Sequence, residues 1–134
     1  MKSVICYVST ANKELSKSDI SLLFKTVRQK NDILGVTGIL MFSEGNFFQI
    51  MEGEHHTIND IFKNIKVDPR HYNVIKILQK PTGNQFFNHY HSGFTTILNH
   101  EEKYKLQSFL NNEKVVNPDS YKSISYLVQK FISN

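Results

Sequence analysis

The chain has 134 residues, 40% of them apolar and 21% charged, with a formal net charge of +4. That length suits one compact domain with its own core, and no stretch approaches the roughly 20 consecutive apolar residues of a membrane span. The lysines are scattered and form no Arg/Lys run, so the charge reads as solubility and not as a nucleic-acid surface.

Cys6 is the only cysteine. An intrachain disulfide is therefore excluded, and a reducing, cytoplasmic compartment is expected. The first residues, MKSVICYVST, lack the apolar core and cleavage site of a signal peptide. Within them SVICYVS, residues 3–9, alternates as a first strand, with Ile5, Tyr7 and Ser9 on one face and Val4, Cys6 and Val8 on the other. Cys6 reads as a buried, inert thiol.

Ser16 followed three residues later by Asp19 resembles a capping box, and Ile20, Leu23, Phe24 and Val27 continue at helical spacing to about Lys30. GVTGILMF (35–42) and NFFQIME (46–52) then form a hairpin across Ser43-Glu44-Gly45. Ile58, Ile61, Phe62 and Ile65 define a second amphipathic helix that stops before Pro69. NVIKILQK (73–80) is a further strand, and a fifth is expected from His91 to Ile97. Leu106, Phe109 and Leu110 belong to a short helix, and Asn117-Pro118-Asp119 opens another with Tyr121, Ile124, Leu127, Val128 and Phe131 on one face.

The order βαββαβ plus one strand predicts an α+β, ferredoxin-like fold: an antiparallel or mixed sheet with an extra strand, and two helices on one face. The C-terminal helices are expected to cover the other. Residues 1–97 would then be the sheet domain, and 98–134 a helical extension packing on it.

The candidate site starts from Gln49. It sits in an apolar strand beside Phe47 and Met51 on one face, with Phe48 and Ile50 on the other. A buried primary amide has two donors and two lone pairs to satisfy, and leaving them unpaired costs a few kcal/mol. In a split βαβ sheet the first strand commonly lies beside the third, so Tyr7 is positioned to meet one side of the amide. Asn31, near the end of the first helix, is either a helix cap or a third uncharged hydrogen-bonding group. With Tyr7 and Gln49 it suits a flat heteroaromatic ligand in a slot lined by Ile20, Phe24, Ile58, Ile61 and Phe62.

ICYVS, NDILGVTGIL, FFQIMEG, DPRH and the Gly93-Phe94 pair, at these separations, resemble the BLUF family of flavin-binding blue-light receptors over about residues 2–97. The resemblance implies FAD between the two helices, with FMN as an alternative. It implies that Tyr7 is the redox-active tyrosine and Gln49 the amide bridging it to flavin N5 and O4. Asn31 and the adjacent Lys30 would bind the pyrimidine edge, Arg70 and His71 would lie near the ring and ribityl phosphate, and Ser9 joins the cofactor-binding set. The implied activity is a photoswitch without substrate turnover. Tyr7 gives an electron and then a proton to the excited flavin, recombination follows, and Gln49 is left rotated or tautomerised and donating to O4, which shifts the absorption band to the red.

The chain departs from the family's W-x-M-G-F segment, carrying Tyr90, His91, Ser92, Gly93 and Phe94 there. Tyr90, a second oxidisable phenol, Ser92, a hydrogen-bonding partner for Gln49, and Met51 are the signal-relay candidates. His89 and His91 share a face in an extended segment, but spacing places no third ligand, so no metal is expected. No catalytic output domain fits after residue 97. The signal is therefore expected to leave through a noncovalent protein partner, using the tail helices or the outer sheet face, and a homo-oligomer is expected. The competing readings are a ferredoxin-like protein- or RNA-binding module and a small hydrolase, for which no nucleophile or acid–base pair is found.

Overall fold

The computed structural model describes residues 1–83, 86–90, 93–116 and 118–133. Alternating stretches have become strands and helically spaced ones helices. In chain order they are β1 (Lys2–Ala11), α1 (Lys17–Ile33), β2 (Thr37–Ser43), β3 (Asn46–Glu54), α2 (His55–Lys66), β4 (His71–Thr82), β5 (Phe94–Ile97), α3 (His100–Val116) and α4 (Pro118–Ser133). A 3-10 turn, Phe86–His89, precedes β5. The chain divides into two units, Met1–Thr96 and Ile97–Asn134.

The strand order is β4-β1-β3-β2-β5, and β1 pairs antiparallel with both β3 and β4, as β2 does with β3. This is the ferredoxin-like α+β sheet with one strand added beyond β2. Ile20 and Phe24 of α1 and Ile58 and Phe62 of α2 join Ile5, Tyr7, Leu40, Phe47 and Met51 in one buried cluster. Both helices therefore cover the same sheet face. Val4, Cys6, Ile39, Met41, Phe48, Ile50 and Glu52, on the alternate positions, are buried as well.

Local chemistry sets the element ends. Ser16 Oγ accepts the Asp19 amide at 3.1 Å and the Asp19 carboxylate accepts the Ser16 amide at 2.9 Å, closing both halves of a capping box at the start of α1. The helix runs one turn past the expected Lys30, because Leu34 is its cap and Gly35, at φ 71°, takes the left-handed turn that ends it. Asn31 is therefore inside the last turn and not at the cap. Between β2 and β3, Ser43 pairs with Asn46, so the loop is only Glu44-Gly45. Both have positive φ, 51° and 81°, as a two-residue hairpin with matching twist requires.

Gly38 is the glycine the hairpin cannot lose. Its φ is 137°, and a Cβ there would lie 2.0 Å from the Ile50 carbonyl oxygen on β3. The Gly-Val-Thr-Gly stretch thus closes the helix with its first glycine and lets two strand backbones approach with its second.

Three expectations shift. The last strand begins at Phe94, not at His91, and residues 91–92 lie outside the described residues. β4 extends to 12 residues, with register shifts against β1 between Cys6 and Tyr7 and between Val8 and Thr10. The first tail helix has 17 residues where a short one was expected. In the second unit Leu106, Leu110 and Glu113 of α3 and Ser125 and Val128 of α4 are buried, and Gln107 Nε2 donates to Gln129 Oε1 at 2.7 Å between the two helices. Pro118 opens α4 as the first helical residue, where its missing N–H is harmless; Asn117 lies outside the described residues. No helix among the described residues is long and apolar enough to cross a membrane.

Candidate functional site

Antiparallel pairing of β1 with β3 sets Tyr7 directly opposite Gln49. Their side chains share the helix-covered face, and Gln49 Nε2 donates to the Tyr7 hydroxyl at 2.6 Å. Both residues are buried, at 4% and 2% exposure. Burial pushes the Tyr7 phenol well above its usual range, against a smaller opposing effect of the Gln49 hydrogen bond. Tyr7 is consequently a protonated phenol at any ordinary pH.

A cleft of about 270 Å³ opens between α1 and α2 over this pair. Tyr7, Gln49, Lys30, Asn31, Arg70 and His71 all border it. The fold therefore gathers into one cleft six of the seven residues expected to hold a cofactor. Ser9, the seventh, is not on the cleft wall. It meets His71 Nδ1 at 2.7 Å instead.

His71 is held from both sides. Its Nε2 lies 2.6 Å from the Ile65 carbonyl, which can only accept, so the ring carries a proton on Nε2. In the neutral ring Ser9 Oγ then donates to Nδ1. So fixed, the imidazole stands edge-on to Tyr7 and to Phe47, with ring centroids 6.2 Å apart in each case. Asn73, at φ 52°, lies where β4 falls out of register with β1 beyond Val8, two residues from His71.

Arg70 is paired with Asp68. Its Nε donates to both Asp68 oxygens, at 3.0 and 3.1 Å, and its backbone amide to Asp68 Oδ1 at 2.9 Å. The guanidinium holds the Asp68 carboxyl below its usual range. This pair fixes the loop between α2 and β4 at the cleft's rim.

The expected lining changes in one respect. Ile61 does border the cleft, but Ile20, Phe24, Ile58 and Phe62 belong to the core beneath it. The wall is made by Leu23, Val27 and Leu34 from the α1 side and by Ile61 and Ile65 from α2. Helical spacing marks the apolar side of each helix, whereas only the way each helix is set on the sheet decides which half of that side meets the sheet and which faces the gap. Asn64 and Asp68 also border the cleft. Their residue types carried no signal in isolation.

Two buried polar atoms have no hydrogen-bond partner among the described residues and belong to cleft residues: Gln49 Oε1, an acceptor, and Asn31 Nδ2, a donor. Buried polar groups are satisfied in nearly all native structures. Between apolar walls, an unmet acceptor and an unmet donor fit a flat ring whose edge carries both N–H and carbonyl groups, as the pyrimidine edge of a flavin does. The residues present therefore fit that group.

Of the relay candidates, Met51 is buried in the core on the face of Gln49 but does not border the cleft. Tyr90 is half-buried just after the 3-10 turn, its amide donating to the Phe87 carbonyl at 3.1 Å. Ser92 lies outside the described residues. Glu52 is fully buried and accepts the amides of Phe86 and Phe87. Burial pushes its carboxyl up to about 7, against the opposing effect of those amides, the Thr37 side chain and Lys2.

Residues 3–93 match the family described as BLUF, sensors of blue-light using FAD. The blue light- and temperature-regulated antirepressor BluF of Escherichia coli (strain K12) is 32% identical over 78 residues, covering 58% of this chain and 19% of that protein. The photoactivated adenylate cyclase subunit beta of Euglena longa is 30% identical over 79 residues, covering 59% of this chain and 9% of that protein. The chain thus spans less than a fifth of either relative. Among solved structures, Klebsiella pneumoniae BlrP1 with FMN and cyclic diGMP superposes with a TM-score of 0.76 at 25% identity, covering 100% of this chain and 35% of that one.

Proposed function

Because this chain belongs to the BLUF family of blue-light sensors using FAD, we propose that Tyr7 and Gln49 form its light-driven hydrogen-bond switch and that the switched state is read by a separate protein. The observation that carries this reading is the position of Gln49, bonded at 2.6 Å to a buried tyrosine on one side and presenting an unmet acceptor toward the cleft on the other.

Bound flavin supplies the blue absorption and an excited state that takes up an electron. Tyr7 is the tyrosine that lines the cleft, held there as a buried phenol. On losing an electron it becomes a strong acid, with the Gln49 amide the group within hydrogen-bond reach, and return of the electron and the proton restores the phenol once that amide has turned. Rotation of that amide exchanges its two ends: the Tyr7 hydroxyl then donates to Oε1, and Nε2 turns to the cleft. A donor replaces an acceptor at the ring edge, and that exchange is the signal.

Asn31 Nδ2 holds the pyrimidine edge, with Lys30 beside it. His71, oriented by Ser9, packs against Tyr7 and keeps it in place. Arg70, with its direction set by Asp68, would offer guanidinium donors at the rim to a phosphate of FAD or FMN. Met51 and Tyr90 relay the change, and Ser92 joins them by its place in the sequence. No substrate turnover belongs to this reading. The partner docks on the helical unit or on the sheet, and a second copy of the chain is one such partner.

The test is a visible spectrum of the purified protein before and after blue light, followed through recovery in the dark. A flavin band that moves reversibly to the red in the natural sequence and stays still in Gln49→Ala supports the switch. Bound flavin with an immobile band defeats it, and a protein that refuses added flavin returns the fold to a plain protein- or RNA-binding module.

A further inference from the structure

The switch leaves two carboxylates unused. Asp32 follows Asn31 in the last turn of α1, where the helix dipole disfavours negative charge. Its Oδ1 accepts the Phe94 amide at 2.6 Å, so it holds the first residue of β5. A Cβ on Gly93 would lie 2.6 Å from the same oxygen. A side chain at that position would push the carboxylate off the Phe94 amide.

Glu52 stands three residues after Gln49 on β3, and so projects from the opposite sheet face. Its Oε2 accepts the Phe86 amide at 2.7 Å and its Oε1 the Phe87 amide at 2.9 Å. These are the first two residues of the 3-10 turn. The two rings of that turn pack edge to face with centroids 5.0 Å apart, both buried.

Two walls of the cleft thus reach the same segment. α1 borders the cleft with Asn31 and grips one end of the β4–β5 connection with Asp32, whereas β3 borders it with Gln49 and grips the other end with Glu52. Each grip is a direct hydrogen bond from a backbone amide to a carboxyl oxygen, so a movement of either wall is felt by the peptide it holds. The connection between the two grips carries Tyr90.

We propose that Asp32 and Glu52 are positioning residues that couple the cleft to the β4–β5 connection, passing the state of Gln49 to the backbone at Phe86, Phe87 and Phe94. The proposal rests on the photoswitch reading and adds the route by which the switch leaves the cleft.

The test records the amide proton and nitrogen resonances of Phe86, Phe87 and Phe94 in the full flavin-loaded chain, in the dark and under continuous blue light. We expect all three to shift on illumination and to return at the rate of the flavin band. Asp32→Ala should keep its flavin and its red shift, lose the light-dependent shift at Phe94, and change the dark-recovery rate by about fivefold, the rate equivalent of one hydrogen bond. Asp32→Asn, which still offers an oxygen, should restore most of both. Amides that are the same in light and dark while the band moves would overturn the proposal, as would Asp32→Ala recovering at the natural rate. A natural-sequence band that does not move overturns the photoswitch reading itself, so the two failures are told apart.

Discussion

At the scale of single residues, burial decides what each polar group can do. Gln49 Nε2 donates to the Tyr7 hydroxyl at 2.6 Å. Tyr7→Phe should therefore keep flavin in the cleft, abolish the red shift, and cost about 1–3 kcal/mol in urea unfolding through the stranded amide. Glu52 offers a pH test. Its folded pKa is raised from 4.5 to about 7, so between those values the native state keeps a proton that the unfolded chain has released. Stability then falls as pH rises through that window, by up to about 1.4 kcal/mol per pH unit. Denaturation at pH 5 and pH 8 should show this fall in the natural sequence and a flatter profile in Glu52→Gln, where no carboxylate can ionise.

At the scale of elements, the β2–β3 hairpin bears most directly on the site because it carries Gln49. Gly38 combines a φ of 137° with a contact that any side chain would turn into a collision with the Ile50 carbonyl. Gly38→Ala should destabilise the protein by more than about 3 kcal/mol, since the strands must part to admit the methyl. The expected outcome is little folded protein, read as loss of the cooperative unfolding transition. The α1 helix shows the opposite economy of signal: its start is legible from Ser16 and Asp19 alone, because a capping box is a local bond between residues three apart. Its end is less so. Asn31 looks like a cap in the sequence, but the helix continues to Ile33 and turns Asn31 inward, where it is 3% exposed.

At the scale of the whole molecule, the Met1–Thr96 unit carries every described residue of the proposed switch, and its cleft residues leave an acceptor and a donor unmet. Filling the cleft should stabilise the fold by mass action. With flavin at about 100 times its Kd, the gain is about 2.7 kcal/mol. For a chain of this size that corresponds to a rise in melting temperature of about 10 °C, measured by differential scanning calorimetry with and without added FAD. An unchanged melting temperature at saturating FAD would mean that the cleft does not bind it.

The succession of elements, both helices of the first unit and the meeting of Tyr7 with Gln49 were legible in the sequence, because each follows from periodicity, turn chemistry and the adjacency of first and third strands. Four things came only with tertiary structure. The placement of α1 and α2 on the sheet decided that Leu23, Val27, Ile61 and Ile65, and not Ile20, Phe24, Ile58 and Phe62, wall the cleft. Bonds across long sequence distances decided the rest: Ser9 to His71, Asp32 to Phe94, and Glu52 to Phe86 and Phe87. Local patterns record what a residue does within its own element, whereas a contact between residues 34 or 62 positions apart leaves no periodicity to read.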